Sequence, residues 1–438
     1  MSSGAAPSFS DAFRVWLRIG LLSFGGPAGQ IALMHRELVD ERRWVREDEF
    51  LHGLNFCMLL PGPEAMQLAT YIGWRLHGFR GGLVAGTLFV LPGFFVILAL
   101  STAYATLAGQ TWFASLFFGL KAAVLAVVVE ALLRVAKKAL KTRAAYGIAV
   151  LSFLALFLFQ APFPLVILAA GCVGYWQTER DPGWLGVAAT QGGGAPPPVA
   201  AGFGHIVRTV AFWGGLWALP ALVIGPWLGW NTIYTALAAF FSKMAVVTFG
   251  GAYAALTYVA QAAVETFGWL KPGQMIDGLA LAETTPGPLI LVLTFVGFLA
   301  AFQAPGALPP LAAGMLGAML TTWVTFIPCF LWIFLGAPYI ERLRQNAALS
   351  GALAGIGAAV VGVILNLSVW FALQTLFRRV ETVKAGPLAV VWPDWATLDG
   401  QALLLAVVAM VAMFRLHIGM VPTLGLCAAA GLALRLMG

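Results

Sequence analysis

Two stretches, MLLPGPEAMQL at 58–68 and AETTPGPLILV at 282–292, set Pro-Gly-Pro inside apolar sequence, and SFGGPAG at 23–29 and TFGGAYA at 248–254 set Phe-Gly-Gly there. Proline has no amide hydrogen to give a helix, and glycine has no side chain to hold one. A helix that restarts after such a break leaves free amide hydrogens and about half a positive charge at its start, and that end attracts anions. The anion-binding candidates are therefore the break residues Phe24, Gly25, Gly26, Pro27, Pro61, Gly62, Pro63, Phe249, Gly250, Gly251, Pro286, Gly287 and Pro288. Ser23, Thr248, Thr284 and Thr285 add hydroxyl donors beside them, and Asn55 and Gln67 flank the first Pro-Gly-Pro. Arg18 and Lys243 lie about a turn and a half before each Phe-Gly-Gly, where a cation either attracts the anion, pairs with a carboxylate, or snorkels to the interface. Glu64 follows the first Pro-Gly-Pro and Glu283 precedes the second by three residues. Each is either a proton carrier or the partner of Arg18, Lys243 or Arg75. The plainer reading of all four breaks is a kink for packing, which a single transmembrane proline usually is; the repetition of both triplets weighs against it.

Such breaks matter because of where the chain lies. Of 438 residues, 61% are hydrophobic and 10% charged, with a mean hydropathy of +0.89; soluble domains carry roughly 25% charged residues. Apolar runs near the spanning length of about 20 residues recur at 82–108, 111–133, 144–160, 206–230, 311–337, 350–376 and 402–436. The chain reads as all-α, a polytopic helical membrane protein; the alternation of a β-barrel is absent. The first eight residues lack the basic start of a cleavable signal, so the first segment is expected to stay. The net charge of +7 sits at helix ends, where topology rather than nucleic acid accounts for it. Cys57, Cys172, Cys329 and Cys427 are scattered singly, and the five histidines make no ligand spacing. No nucleophile or phosphate-loop motif occurs. A non-enzymatic chain with no cofactor and no metal is expected. Lys121, Glu130 and Asn366 read first as packing pairs within the apolar runs.

An internal repeat organises the breaks. Setting each residue from Arg18 to Pro63 against the one 225 places later puts Phe24 on Phe249, Trp44 on Trp269 and Pro61 on Pro286 without a gap. Farther on the match loosens, and Pro92 meets Pro328 after about eleven extra residues. The expected organisation is an N-terminal transmembrane repeat over 1–177, a Gly/Pro-rich linker over 178–204, an inverting transmembrane helix over 205–230 and a C-terminal repeat over 231–438. Seven apolar segments separate the two Phe-Gly-Gly triplets. An odd number turns the second copy upside down, and inverted repeats place substrate near mid-membrane where broken helices meet. Positive charge supports inversion: 35–49 carries Arg36, Arg42, Arg43 and Arg46 where its counterpart has only Lys271. Basic residues 134–143 and Arg342 with Arg344 mark further cytoplasmic loops. Segments 9–34 and 50–78 either cross the membrane as broken helices or enter halfway and return as hairpins.

The run SFGGPAGQIALMHRELVDERRWVREDEFLHGLNFCMLLPGPEAMQ and the stretch from Gly78 to Gly82 resemble the amino-terminal signature of the chromate ion transporter family. TFGGAYAAL and TTPGPL resemble the carboxy-terminal signature of its long-chain, two-domain members. One departure is Ala252 in place of Pro27, which leaves open whether the second helix restarts as sharply. The resemblance implies export of chromate across the bacterial inner membrane, conferring chromate resistance, driven by membrane potential or a proton gradient. A sulfate or other tetrahedral-oxyanion carrier, or a passive anion channel, is the alternative. The expected partners are chromate or sulfate and the lipid bilayer, with a homodimer open and no nucleic acid.

Overall fold

The computed structural model describes residues 7–24, 26–181, 183–186, 202–249, 251–337, 347–386 and 388–437. Gly25, Gly250, Arg342, Arg344 and most of the linker lie outside them. Five described helices are long and apolar enough to cross a membrane, which makes this a multi-pass helical membrane protein.

The chain opens with four short elements: α1 (Phe9–Leu22), α2 (Gly26–His35), a π-helical turn (Arg36–Glu41) and α3 (Glu47–Cys57). α4 (Glu64–Leu107) is two helices, since His77 and Gly78 leave the helical region, with Gly78 at φ 60°. Its arms fold back on each other: a methyl added at Gly73 would lie 2.5 Å from the Gly81 carbonyl oxygen. Then follow α5 (Thr111–Ala139), α6 (Arg143–Phe159), α7 (Phe163–Arg180) and α8 (Phe203–Leu228). The second repeat gives α9 (Ile233–Val247), α10 (Ala252–Gln261), a π-helical turn (Ala262–Thr266) and α11 (Pro272–Thr284). α12 (Val292–Gln303) and α13 (Pro310–Gly336) repeat the two arms of α4, and α14 (Ala347–Leu376), α15 (Gly400–Phe414) and α16 (Met420–Met437) repeat α5 to α7. The repeat therefore runs past the triplets to the end of the chain. Its offset becomes 236 once the turn between the α4 arms lengthens, with Pro92 on Pro328 and Thr111 on Ala347. Even the π-helical turns recur, in register.

One element has no counterpart in the first half and was not expected from sequence. β1 (Val380–Ala385) and β2 (Leu388–Pro393) form an antiparallel hairpin, with Val380 opposite Pro393 and Ala385 opposite Leu388. Val380, Thr382, Val383, Val390 and Val391 are β-branched, which favours strand, and Gly386 at φ 60° turns the chain.

The described chain separates into two compact units, and neither coincides with one repeat. One holds 1–105, 193–255 and 281–343; the other holds 106–192, 256–280 and 344–438. In the second, α6 and α7 pack on α14, while α15 and α16 pack on α5. Each repeat thus covers the other's long helix. The approach is close because glycines face backbone: a methyl at Gly119 on α5 would lie 1.9 Å from the Cys427 carbonyl oxygen on α16. Lys121 on α5 and Asp277 on α11 make a 3.2 Å ion pair there, and Glu130 pairs with Arg134 along α5.

Candidate functional site

All the described break residues fall in the first unit. Arg18 Nε lies 3.4 Å from Glu37 Oε1, although nineteen residues of straight helix would hold them about 28 Å apart. Likewise Arg75 Nη2 lies 3.0 Å from Glu49 Oε1, and the rings of Phe56 and Tyr71 are 5.9 Å apart. Both broken segments of the first repeat therefore double back. With 14 residues in α1 and 11 in α3, such arms reach roughly 21 Å and 17 Å, short of the ~30 Å hydrocarbon core. The geometry is that of re-entrant hairpins. His77 Nε2 bonds the Pro7 carbonyl oxygen at 2.8 Å, so the start of α1, the turn of α4 and, through Arg75 and Glu49, the arginine-bearing loop all lie at one level.

The tips of these hairpins meet their counterparts crosswise. The Gly62 amide donates to the Thr248 carbonyl at 3.0 Å, and the Gly287 amide donates to the Ser23 carbonyl at 2.9 Å. Gly62 and Gly287 are repeat equivalents, as are Ser23 and Thr248. Each Pro-Gly-Pro is therefore held by the end of the helix that precedes the other half's Phe-Gly-Gly, the pattern a twofold relation demands. The long helices follow suit. Cys329 Sγ on α13 would be 3.2 Å from a methyl at Gly62, and Gly93 Cα on α4 would be 3.2 Å from a methyl at Gly287. Gly93 and Cys329 each follow the repeated proline. Glycine is required at the turns themselves, with φ of 67° at Gly26, 92° at Gly251, 110° at Gly62 and 93° at Gly287. α10 starts at Ala252 as α2 starts at Gly26. Ala252 in place of Pro27 leaves the second restart as abrupt as the first.

The hydroxyls are less free than their sequence positions suggest. Ser23 Oγ donates to the Ile19 carbonyl at 2.6 Å and Thr248 Oγ1 to the Met244 carbonyl at 2.7 Å. Thr284 and Thr285 donate to Leu281 and Ala282. A hydroxyl has one hydrogen, so in this arrangement these four offer acceptors. Glu283 is 2% exposed and accepts from Tyr253 Oη at 2.9 Å. Glu64 is half-buried, with Oε1 3.1 Å from where a methyl at Gly251 would sit. Arg18 is exposed and paired with Glu37, whose side chain is fully buried and also bound by Arg42. Lys243, Asn55 and Phe24 are exposed, Pro27 and Phe249 are intermediate, and Pro286, Gly287 and Pro288 are buried where Pro61 and Gly62 are half-buried.

Four side chains carried no separate signal in sequence: Gln30 and Tyr253, which bond the second Pro-Gly-Pro and Glu283, Glu37 on the π-helical turn, and Asp277 on α11 in the second unit. Only Asp277 had an indirect one, since Lys121 inside an apolar run requires an anion nearby. A groove of about 1010 Å³ beside α8 and α9, touching Trp217, Asn231 and Thr232, includes none of the break residues. No group of metal-ligating side chains occurs among the described residues.

The comparisons with known proteins converge on one group. A chromate transport protein of Cupriavidus metallidurans is 30% identical over 82% of each chain, and one of Pseudomonas aeruginosa is 33% identical over 86% of this chain and 84% of its own. A probable chromate transport protein of Synechococcus elongatus is 30% identical over 88% and 90%. No solved structure matches the chain. The family model described as chromate transporter matches residues 10–175 and 235–432, which are the two repeats with the linker and α8 left between them. Carrying both copies of that sequence, and pairing their breaks crosswise, the chain belongs to the chromate transporter family.

Proposed function

We propose that this protein exports chromate from the bacterial cytoplasm through the inner membrane, with the oxyanion held at the four paired breaks. The observation that carries this reading is the reciprocal pair of amide bonds, Gly62 to Thr248 and Gly287 to Ser23. They bring unwound chain from both halves together at the reach of half-membrane hairpins, where irregular backbone persists only inside protein or along a wet path. Helix starts at Gly26 and Ala252 supply amides suited to a tetrahedral dianion. Lys243, exposed on α9 with no ion pair among the described residues, is the cation that recruits it. The curated relatives named as chromate transport proteins support the substrate. Export needs little additional coupling, because an interior-negative potential drives anions outward by about 2.3 kcal/mol per charge per 100 mV.

The test is counterflow of labelled chromate in proteoliposomes with an imposed voltage step. Saturable flux that follows the voltage is expected, with Lys243→Ala lowering it at least about tenfold. Flux that neither saturates nor follows voltage would make the protein something other than a chromate carrier. Sulfate has nearly the same shape and charge, so competition by sulfate in the same vesicles decides between the two oxyanions.

A further inference from the structure

Of the three polar residues set within long apolar runs, two find partners: Lys121 pairs with Asp277, and Glu130 with Arg134. Asn366 on α14 does not. Its side chain makes no hydrogen bond among the described residues, although a polar group at membrane depth is costly and as a rule faces protein or a wet cavity. The repeat sharpens the contrast. At the offset of 236, Asn366 stands on Glu130 and Trp370 on Arg134. Where the first half closes a carboxylate and a guanidinium on each other across one helical turn, the second sets an amide and an indole.

Asn366 and Trp370 instead line a cavity of about 40 Å³ within the second unit. A single water occupies roughly 10–15 Å³ of such space, so a group the size of two or three waters fills it. Gln160 at the end of α6, Thr257 and Gln261 on α10 and Glu265 on the second π-helical turn complete the polar lining, and the other side chains around it are apolar. Gln160 holds a left-handed φ of 48°, which residues other than glycine seldom take. Gln261 hydrogen-bonds the Glu265 carboxylate from one turn away. That carboxylate has no ion pair among the described residues, and no basic side chain lines the cavity. The one charge here is negative, which disfavours an oxyanion. A small cation bearing N–H bonds suits the lining: Glu265 supplies the countercharge, the amide oxygens of Asn366 and Gln160 accept hydrogens, and an indole favours an organic cation.

We propose that this cavity binds a primary ammonium group, carried either by a free amine or by the headgroup of an aminophospholipid. The site does not rest on the chromate reading, so it is tested without any oxyanion. The full-length protein in detergent is melted in ethanolamine hydrochloride, in tetramethylammonium chloride and in sodium chloride at equal ionic strength. A ligand that binds only the folded protein raises the melting temperature. In parallel, native mass spectrometry counts the phosphatidylethanolamine retained against phosphatidylcholine from an equal mixture. A saturable rise with ethanolamine without lipid preference identifies a free amine, and preferential retention of phosphatidylethanolamine identifies the lipid. Glu265 is exposed, so Glu265→Gln is expected to fold normally and to lose the response. Asn366→Leu is expected to shift the ethanolamine midpoint about tenfold towards higher concentration. Three results overturn the assignment: a wild type indifferent to ethanolamine and to lipid headgroup, a rise with sodium or tetramethylammonium equal to that with ethanolamine, or a Glu265→Gln protein that responds as the wild type does. Loss of the response in Glu265→Gln stands as support even if Asn366→Leu fails to fold.

Discussion

At the scale of single residues, Glu37 and His35 show what holds the first hairpin at its open end. Glu37 is a fully buried carboxylate clasped by Arg42 and Arg18, so Arg18 has a structural duty whatever else it does. Removing one partner of a buried pair costs about 3–5 kcal/mol. Arg18 is 55% exposed, so less of that is expected from Arg18→Ala than from Arg42→Ala. His35 sits where the π-helical turn begins, with Nε2 2.5 Å from Glu47 and Nδ1 3.2 Å from Asp40. Burial pulls its pKa down, but the hydrogen bonds and charges of Glu47 and Asp40 outweigh that and leave it raised. A raised folded pKa means the protonated imidazole stabilises the fold below the unfolded value of about 6.5. That contribution disappears as pH rises through the folded pKa. The melting temperature of the wild type, measured against His35→Gln, is expected to fall as pH rises from about 6 to about 8. A difference between the two that stays constant with pH would show that His35 contributes no such linkage.

Among elements, the glycines separate close approaches from open faces. A methyl at Gly93 would lie 2.3 Å from the Pro286 carbonyl oxygen, and backbone there cannot step aside without moving the second Pro-Gly-Pro. Gly93→Ala is expected to cost about 1–3 kcal/mol and to lower transport with it. Gly215 on α8 has nothing within 4 Å of an added methyl. Gly215→Ala is expected to leave stability unchanged or raise it by up to about 1 kcal/mol through helix propensity. Thermal melts of the two variants check the contrast, and an equal response would mean the crosswise packing at Gly93 is looser than described. Elements are also where sequence left a choice open. An apolar run of the length of 9–34 fits either one crossing or two half-length arms. Only contacts between distant residues, Arg18 with Glu37 and Glu49 with Arg75, select the hairpins. The division of α4 was legible, since Arg75, His77 and Arg80 interrupt the apolar sequence between 50–78 and 82–108, but only the close approach of Gly73 to Gly81 shows that its arms fold back on each other.

For the whole molecule, the important fact is that neither compact unit belongs to one repeat. α6 and α7 pack on α14, α15 and α16 pack on α5, and each Pro-Gly-Pro is held by the opposite half. Either half made alone would leave those faces and amides without partners. Each is therefore expected to fail to accumulate, whereas the two halves co-expressed from a chain cut between α7 and α8 are expected to restore folded protein. Immunoblots of membranes from cells making one half or both check this. Stable accumulation of a single half would mean that the repeats fold independently.

What the residues settle by themselves is local. Apolar length makes the helices, glycine and proline break them, and an ungapped register of 225 reveals two copies, because these are properties of neighbouring residues and need no partner. The pairing of breaks across the halves, the hydroxyls turned back onto their own helices, and the buried positions of Gln30, Gln67 and Glu37 came only with the tertiary structure. A lone polar residue in an apolar chain carries no sign of its partner. Which distant group satisfies it depends on how the chain doubles back, and that is decided by packing over the whole unit.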